Sequence, residues 1–302
     1  MSIAYRKATR CSHRFQRGWV GWHLVGQEWK RARVTISLRP VTDLLSLLEL
    51  EPVKPDAFLG SSPQNGWDRI YGGQVVAQAL RAASLTLDAP HRPHSLHAYF
   101  VRAGDEKLPV LFEVERVRDG RSFTTRQVVA YQQGGAILNL IASFQADEEG
   151  DDVQANPPPL DVPGPEGFDR RETDLFFETA MVELRRHPET VGRAWMRVTQ
   201  DLGDDPMIHA CALAYLSDEH PLGLAIMPHP MGDQWESLMV ASLDHALWFH
   251  RPVRVDQWLL FDLRGHGVAN ARGMADARVF TADGRHVASL AQEGLVRPRR
   301  TS

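Results

Sequence analysis

Residues 70–87 read IYGGQVVAQALRAASLTL, a glycine pair followed by an almost continuously apolar run. When this run is placed on a helix, Gln74, Gln78 and Arg81 form its polar stripe. A helix at the surface of a protein ordinarily has a broader polar face. The stretch therefore predicts a helix from Gln74 to about Thr86 that other parts of the chain surround on nearly every side.

Four strand-like segments follow this helix, at 94–102, 109–118, 121–132 and 136–145. Asp119-Gly120 and Gly134-Gly135 join the later ones, and both dipeptides are typical of tight hairpin turns. A short amphipathic helix, capped by Thr42 or Asp43, is predicted before them. One apolar helix followed by an antiparallel meander predicts a curved sheet wrapped around a central helix.

The second half of the chain has the same order of elements. A strand is indicated around Trp195, and Asp205-Pro206 has the residue types of an N-cap and first helical position. The helix that begins there is again apolar, and the pattern predicts that it runs to Asp218. Strand-like segments then follow at 242–251, 256–264, 277–280 and 285–296.

Three pairs of landmarks relate the two halves at one offset of 149 residues. They are Phe100–Arg102 with Phe249–Arg251, Gly134-Gly135 with Asp283-Gly284, and Ala142-Ser143 with Ala291-Gln292. A shared offset across two meanders indicates duplication of one helix-plus-sheet unit. Two such sheets joined edge to edge would also hide their edge strands.

Bulk composition limits the classes of function. The chain has 302 residues, of which 43% are hydrophobic and 24% charged, as in ordinary globular proteins. A net charge of −4 gives no indication of nucleic-acid binding, and no apolar run is long enough to span a membrane. The two cysteines are too few for a disulfide framework, so we expect a reducing compartment and a cytoplasmic location.

Four regions are predicted along the chain. Residues 1–40 carry nine Arg or Lys against one acidic residue, Glu28. Such a start occurs in transit peptides, but a disordered extension or a misassigned start codon is favoured here. Residues 41–146 form the first unit, the acidic and Pro-rich segment that opens 147–189 is a linker and connection, and 190–302 form the second unit.

Several longer motifs are then recognisable. IYGGQVVAQAL, HSLHAYFVRAGD, VERVRDGRSFTTRQVVAYQ and IASFQ lie in the first half, and LAYLSD, SLDHALWFHRP and ARVFTADGRHVASLAQEGLVR in the second. Through these motifs residues 44–297 resemble the acyl-CoA thioesterase II family. The resemblance implies an α+β double hotdog, in which two long central helices are each wrapped by an antiparallel sheet and the sheets join edge to edge.

The resemblance also implies the chemistry. Fatty acyl-CoA would be the substrate, attacked by water without a metal or an organic cofactor. The family's catalytic Asp, hydroxyl and Gln fall on Asp218 in LAYLSD, Ser242 in SLDH and Gln292 in LAQEG. The family often has Thr at the middle position, and Ser242 lacks the methyl group that restricts the rotamer of Thr. We expect a homo-oligomer, a dimer or higher.

These residues can also be judged on their own chemistry. Asp218 can accept a proton, and the end of a helix dipole should make its carboxylate more basic. An aspartate also suits the start of the turn SDEHP, and polar strand residues such as Ser242 and Gln292 commonly face solvent. Gly72, Gly73 and Gln74 open the first central helix, where free N–H groups could bind an oxyanion, although the glycines would also suit a simple turn.

Two other functions stay open. A hotdog enoyl-thioester hydratase or dehydratase needs an Asp/His pair at the β-carbon, and His220 is too close to Asp218 in sequence to provide it. A non-catalytic acyl-CoA-binding module would have no need of all three polar residues. Hydrolysis of fatty acyl-CoA, as part of fatty acid and lipid metabolism, is therefore the leading hypothesis.

Overall fold

The computed structural model describes residues 40–64, 66, 68–133, 135–155, 157–172, 176–232 and 234–299. Apart from its last residue, the basic extension predicted for 1–40 lies outside these ranges. The turn predicted at Gly134-Gly135 is described only at Gly135, whose φ of 121° is a conformation that suits glycine.

Four α-helices lie within the described ranges: α1 Leu44–Leu48, α2 Gly72–Ser84, α3 Pro206–Leu216 and α4 Pro221–Ile226. Asp43 caps α1 by accepting a hydrogen bond from the amide of Ser46, as one of the two predicted caps. Asp205 caps α3 through the amide of Met207, with Pro206 in the first turn. The helix α3 ends at Leu216, two residues earlier than predicted, because Ser217 caps it.

Fourteen strands are described, and all of their pairings are antiparallel. Those of the first half are β1 Glu51–Lys54, β2 Ala57–Gly60, β3 Arg92–Phe100, β4 Val110–Asp119, β5 Phe123–Gln132 and β6 Gly135–Gln145. Those of the second half are β7 Arg170–Glu172, β8 Phe177–Arg185, β9 Thr190–Val198, β10 Leu238–Ser242, β11 Asp244–Phe249, β12 Leu259–Ala269, β13 Arg272–Thr281 and β14 His286–Pro298.

The strands form one sheet in the order β1-β2-β4-β5-β6-β3-β11-β14-β13-β12-β9-β8-β7, and β10 pairs with β14 off this path. Read outward from its centre, the order of the second half repeats that of the first. The halves meet where β3 pairs with β11, with Leu96 opposite Leu247. Joining the sheets in this way leaves neither of these two strands with an unpaired edge.

The strands of the two halves also correspond in sequence. Val110 and Phe123 begin β4 and β5, and Leu259 and Arg272 begin β12 and β13, in both cases 149 residues later. The helices do not share this offset, since Gly72 and Pro206 differ by 134. The difference arises after α3, where α4, a 3₁₀ turn and β10 lengthen the connection to β11.

The two central helices pack against each other inside the sheet. Ten of the thirteen residues of α2 are buried, and so is every residue of α3 from His209 to Leu216. Gln74 and Gln78 of the polar stripe of α2 are buried as well. The Gln78 amide nitrogen donates to the carbonyls of Leu47 and Ser61. The predicted enclosure of α2 is therefore present, and the amide nitrogens of Gln74 and Gln78 have hydrogen-bond partners inside the protein.

The second half contains strands that the sequence analysis placed in a connection. Within 147–189, predicted as linker and connecting segment, Arg170–Glu172 and Phe177–Arg185 form β7 and β8. Phe177 to Ala180 are buried at four consecutive positions, so β8 lacks the alternation by which a half-buried strand is recognised. The segment before β7 packs over the sheet, where the Trp195 indole donates to the Pro163 carbonyl.

The run predicted as one strand over 242–251 is interrupted at its start. Ser242 ends β10 and Asp244 begins β11, so the two strands contact different parts of the sheet. Both pair with β14, and β11 pairs on its other side with β3. This break brings the end of β10 and the start of β11 to the middle of β14.

Candidate active site

Asp218 lies immediately after the cap of α3 and is 8% exposed. Its Oδ2 accepts a 2.9 Å hydrogen bond from the backbone amide of Gly73, in the first turn of α2. Its Oδ1 accepts a second hydrogen bond, also of 2.9 Å, from the side-chain amide of Gln292. The carboxylate is thus held between the two halves of the chain.

Gln292 lies on β14 and is 1% exposed. Its Nε2 donates both to Asp218 and, at 2.7 Å, to the hydroxyl of Ser242 at the end of β10. Its Oε1 lies 2.7 Å from Nδ1 of His245 on β11. The structure therefore brings together the three residues that the resemblance identified, from a helix end and two strands.

The glycine pair is required by close contact between the helices. A Cβ atom on Gly73 would lie 2.3 Å from the backbone oxygen of Tyr215 in α3, and 2.6 Å from the ring of Tyr71. A Cβ atom on Gly72 would lie 2.6 Å from Oδ2 of Asp218. Bare backbone at these positions lets the end of α3 approach α2 closely, a reason for the glycines that the sequence analysis did not include.

Donors predicted for an oxyanion are partly engaged in the structure. The Gly73 amide donates to Asp218, and the Gln74 amide donates to the carbonyl of Tyr71 at 3.2 Å. The Gln74 side chain donates to the hydroxyl of Ser62 at 2.7 Å. Gly72 begins the helix, where an amide has no acceptor within its own helix.

Burial raises the pKa of Asp218 to about 7, while hydrogen bonds from Gln292, Gly73 and Ser242 oppose the rise. The helix dipole was expected to make this carboxylate more basic, whereas removal from water is the largest cause of the raised pKa in the structure. A pKa near neutrality suits a general base, because the ionised form is populated and still binds a proton well.

Other titratable groups surround this carboxylate. Burial raises the pKa of the neighbouring Glu219 to about 7, and the negative charge of Asp218 adds to this effect. The positive charge of Arg171 lowers the same pKa and partly offsets the rise. Burial and the charges of Asp218 and Glu219 raise the pKa of Tyr71 well above its usual value. Burial lowers the pKa of His220 to about 4, and its Nε2 lies 3.2 Å from the hydroxyl of Thr179.

The described ranges give two further findings. Across them, no three His, Cys, Asp or Glu side chains gather in a way that could hold a metal ion. No helix in the described part of the chain has the length and hydropathy needed to cross a bilayer.

Comparison with known proteins follows the same division into halves. Residues 61–145 match a family described as the acyl-CoA thioesterase N-terminal domain, and residues 148–296 match its C-terminal domain. The second match begins before β7, in agreement with the two strands found within 147–189.

Similar proteins include acyl-coenzyme A thioesterase 8 of Homo sapiens, 35% identical over 83% of this chain and 88% of that protein. Acyl-CoA thioesterase 2 of Haemophilus influenzae is 33% identical over 85% of this chain and 98% of that protein. The solved structure of acyl-CoA thioesterase II TesB2 from Mycobacterium marinum is 36% identical, with a TM-score of 0.75, and covers 86% of this chain and 98% of its own.

A hot dog fold protein from Alicyclobacillus acidocaldarius, 19% identical, has a TM-score of 0.70 over 85% of this chain and 98% of its own and shows the fold alone. The large antiparallel sheet, its enclosed helices and these likenesses define the class: a hotdog-fold thioesterase. Within that class, the chain belongs to the acyl-CoA thioesterase II family.

Two side chains bonded to this cluster, those of His245 and Ser217, were not among the predicted site residues. His245 lies between Gln292 and Ser217, with its Nε2 2.8 Å from the Ser217 hydroxyl. The burial pattern of β11 places His245 on the same buried face as Leu247. The sequence feature that could have identified His245 is its place on the apolar face of a strand, three residues after Ser242.

Proposed function

We propose that this chain hydrolyses fatty acyl-CoA thioesters to free fatty acid and CoA, with Asp218 as general base and Ser242 and Gln292 positioning the water. One observation carries the assignment: the Gln292 amide nitrogen contacts both Asp218 Oδ1 and Ser242 Oγ. Three groups from separate elements thereby meet around one point. The names of the relatives support acyl-CoA as the substrate.

The proposed reaction consumes one water and needs no redox partner. Ionised Asp218 takes a proton from the water as its oxygen bonds to the thioester carbon, and the carbonyl electron pair moves onto oxygen. The tetrahedral intermediate then re-forms the carbonyl and breaks the C–S bond. CoA leaves as a thiolate and receives the proton that Asp218 had accepted.

Oxyanion stabilisation is proposed for the first turn of α2. Gly72, Gly73 and Gln74 were the candidates, and Gly72 is favoured because the other two amides already donate to Asp218 and Tyr71. The partial positive charge at a helix N-terminus would favour an oxygen that becomes negative.

The finer architectural assignments belong to the same proposal. The repeated strand order and the β3–β11 join support a double hotdog with one unit per half. Residues 41–146 remain the proposed first unit, and we now propose that the second begins before Arg170, because β7 and β8 pair into its sheet. A cytoplasmic location and a part in fatty acid metabolism remain expectations from the sequence.

Self-association is also retained as a proposal. Tyr99 on β3, Ile141 on β6 and Trp248 on β11 are 63%, 44% and 38% exposed on strands that adjoin the central join. Their pairing partners place all three on one face of the sheet. Neighbouring apolar side chains on one face are typical of an interface, and sedimentation equilibrium of the purified chain would give the oligomer size.

Incubation of the purified chain with palmitoyl-CoA and, separately, crotonyl-CoA tests the reaction. Release of free thiol from palmitoyl-CoA, together with unchanged enoyl absorbance from crotonyl-CoA, is the expected result. Loss of enoyl absorbance without thiol release would instead identify a hydratase. Binding of both compounds without any reaction would identify a binding module, and either result would overturn the proposal.

A further inference from the structure

We propose that His245 is a positioning residue that sets the orientation of the Gln292 side-chain amide, and through it the arrangement of Asp218 and Ser242. The inference rests on the function proposed above. Its basis is geometric: His245 is 1% exposed, its Nδ1 lies 2.7 Å from Gln292 Oε1, and its Nε2 lies 2.8 Å from Ser217 Oγ.

The protonation of these groups follows from their partners. An ionised Asp218 accepts only, so the Gln292 nitrogen must face it and the Gln292 oxygen must face His245. Nδ1 of His245 therefore carries the hydrogen. Burial lowers the pKa of His245 to about 4, which leaves the ring neutral near pH 7 and its Nε2 an acceptor. The Ser217 hydroxyl lies 2.8 Å from that nitrogen and 2.9 Å from the carbonyl oxygen of Ala214, and because Nε2 carries no hydrogen, the single hydroxyl proton goes to Nε2.

The contacts close into a ring of groups. Asp218 is bonded to Gln292, Gln292 to His245 and His245 to Ser217, and Ser217 precedes Asp218 in the chain. A rotated Gln292 amide would put its oxygen against the carboxylate and its nitrogen against the N–H of the ring. Both contacts would then join like groups, acceptor with acceptor and donor with donor, so His245 selects one of the two orientations.

The orientation of this amide affects how readily Asp218 ionises. The hydrogen bond from Gln292 lowers the pKa of Asp218 and partly offsets burial. The other groups that face the carboxylate are the Gly73 amide, the Ser242 hydroxyl, and the titratable side chains of Tyr71 and Glu219. Among the described residues, the side chain of His245 is hydrogen-bonded to Gln292 and Ser217 and to none of these groups, so we expect its effect on Asp218 to pass through Gln292.

A matched pair of variants separates positioning from bulk. In His245→Asn the side-chain nitrogen falls near the place of Nδ1 and can still donate to Gln292. In His245→Gln the amide falls near the place of Nε2 and leaves Gln292 unheld. The first readout is the pKa of Asp218 from the carboxyl ¹³C shift of labelled aspartate, assigned by its loss in Asp218→Asn. The second is kcat and KM for palmitoyl-CoA against pH.

In His245→Gln we expect the Asp218 pKa to rise by about one unit and kcat at pH 7 to fall about tenfold, with KM little changed. In His245→Asn we expect the wild-type pKa within about 0.3 units and kcat within about threefold. Equal behaviour of the two variants, or no pKa shift in His245→Gln, would overturn the proposal.

Ser217→Ala keeps the proposal testable if His245→Gln fails to fold. Without the Ser217 hydroxyl the ring can carry its hydrogen on Nε2, so we expect a smaller pKa rise in the same direction. An unchanged Asp218 pKa in Ser217→Ala would then count against the proposal. The NMR readout does not depend on turnover, so a wild-type chain that is inactive on acyl-CoA would refute the proposed function while leaving this test intact.

Discussion

The backbone amide of Gly73 donates a 2.9 Å hydrogen bond to Oδ2 of Asp218, so the first turn of one central helix holds the carboxylate that follows the other. Neither half of the chain therefore contains the whole proposed site. The amide and the positive end of the α2 dipole favour the ionised carboxylate, and burial favours the protonated form. The balance of these opposing effects leaves the pKa of Asp218 at about 7.

Asp218→Asn removes the proton acceptor and keeps the size of the side chain. A general base typically contributes about 10²–10⁴-fold, so kcat for palmitoyl-CoA should fall on that scale. The dissociation constant of a non-hydrolysable acyl-CoA analogue should change little. Wild-type turnover in this variant would refute the mechanism, and equal losses of binding and turnover would make Asp218 a structural residue.

The position of the first half that matches Asp218 carries no carboxylate. Asp218 lies two residues beyond the end of α3, and the matching position two residues beyond α2 is Thr86. That threonine is buried and accepts a 2.8 Å hydrogen bond from the wholly buried Arg126. The two halves differ at this position, which is why a single substitution at Asp218 should remove almost all turnover.

The rate of hydrolysis should rise with pH through about 7. Burial raises the pKa of Asp218 above its ordinary value, so the base form is scarce below pH 6 and abundant above pH 8. A plot of kcat/KM for palmitoyl-CoA between pH 5 and 9 would show this rise as an ascending limb centred near pH 7. The limb should be absent from the residual rate of Asp218→Asn.

Glu219→Gln is the matched control for that profile. Glu219 is the next residue, and burial raises its pKa to about 7 as well. If the limb belongs to Asp218, Glu219→Gln keeps it. If the pH-dependent rise disappears in Glu219→Gln and is retained in Asp218→Asn, then Glu219 is the base and our mechanism names the wrong residue.

Much of the fold was accessible from periodicity alone. The burial of α2 followed from its narrow polar stripe, and β4, β5 and β6 lie within two residues of their predicted bounds. The strand β8 was missed because both of its faces are covered, which removes the alternation. The break after Ser242 was missed because a bend in an apolar run leaves no local signal when both strands pair with the same neighbour.

The candidate site was harder to predict from the sequence than the fold. Asp218, Ser242 and Gln292 were identified through the family resemblance, since a turn aspartate and two polar strand residues are ordinary on their own. The bond from Gly73 to Asp218 joins residues 145 positions apart. Such a contact depends on how two helices pack, which neither propensity nor spacing encodes.

Gly73→Ala should separate the two helices. The new Cβ atom would lie 2.3 Å from the Tyr215 oxygen, and backbone cannot move aside cheaply. Overpacking of this kind costs about 1–3 kcal/mol, and the displaced amide should also lower kcat. Chemical denaturation and palmitoyl-CoA turnover measure the two effects.

Gly223→Ala is the control for that substitution. Gly223 lies in α4, and a Cβ atom there would meet nothing within 4 Å. Alanine is the better helix former, so this variant should gain about 0.5–1 kcal/mol in free energy of unfolding. If the two variants unfold alike, the close approach of the helices is not what requires glycine at position 73.

Ser242 provides a test of the hydroxyl itself. Its Oγ accepts the 2.7 Å hydrogen bond from Gln292, and in the proposed mechanism the proton of the water goes to Asp218 and not to Ser242, so Ser242→Ala should lower kcat less than Asp218→Asn does. Loss of one hydrogen bond of about 1 kcal/mol corresponds to several-fold in rate. Ser242→Thr keeps the hydroxyl on a residue that favours strands and should retain most of the activity.

The double variant Asp218→Asn/Ser242→Ala completes this test. Because both residues are proposed to act on one water, the second substitution should add little to the loss caused by the first. Ser289→Ala serves as the control, since Ser289 is a strand serine bonded at 2.9 Å to His250 and takes no part in the cluster around Gln292. Its turnover should match wild type. Fully additive losses in the double variant would mean that Ser242 acts on a different step from Asp218.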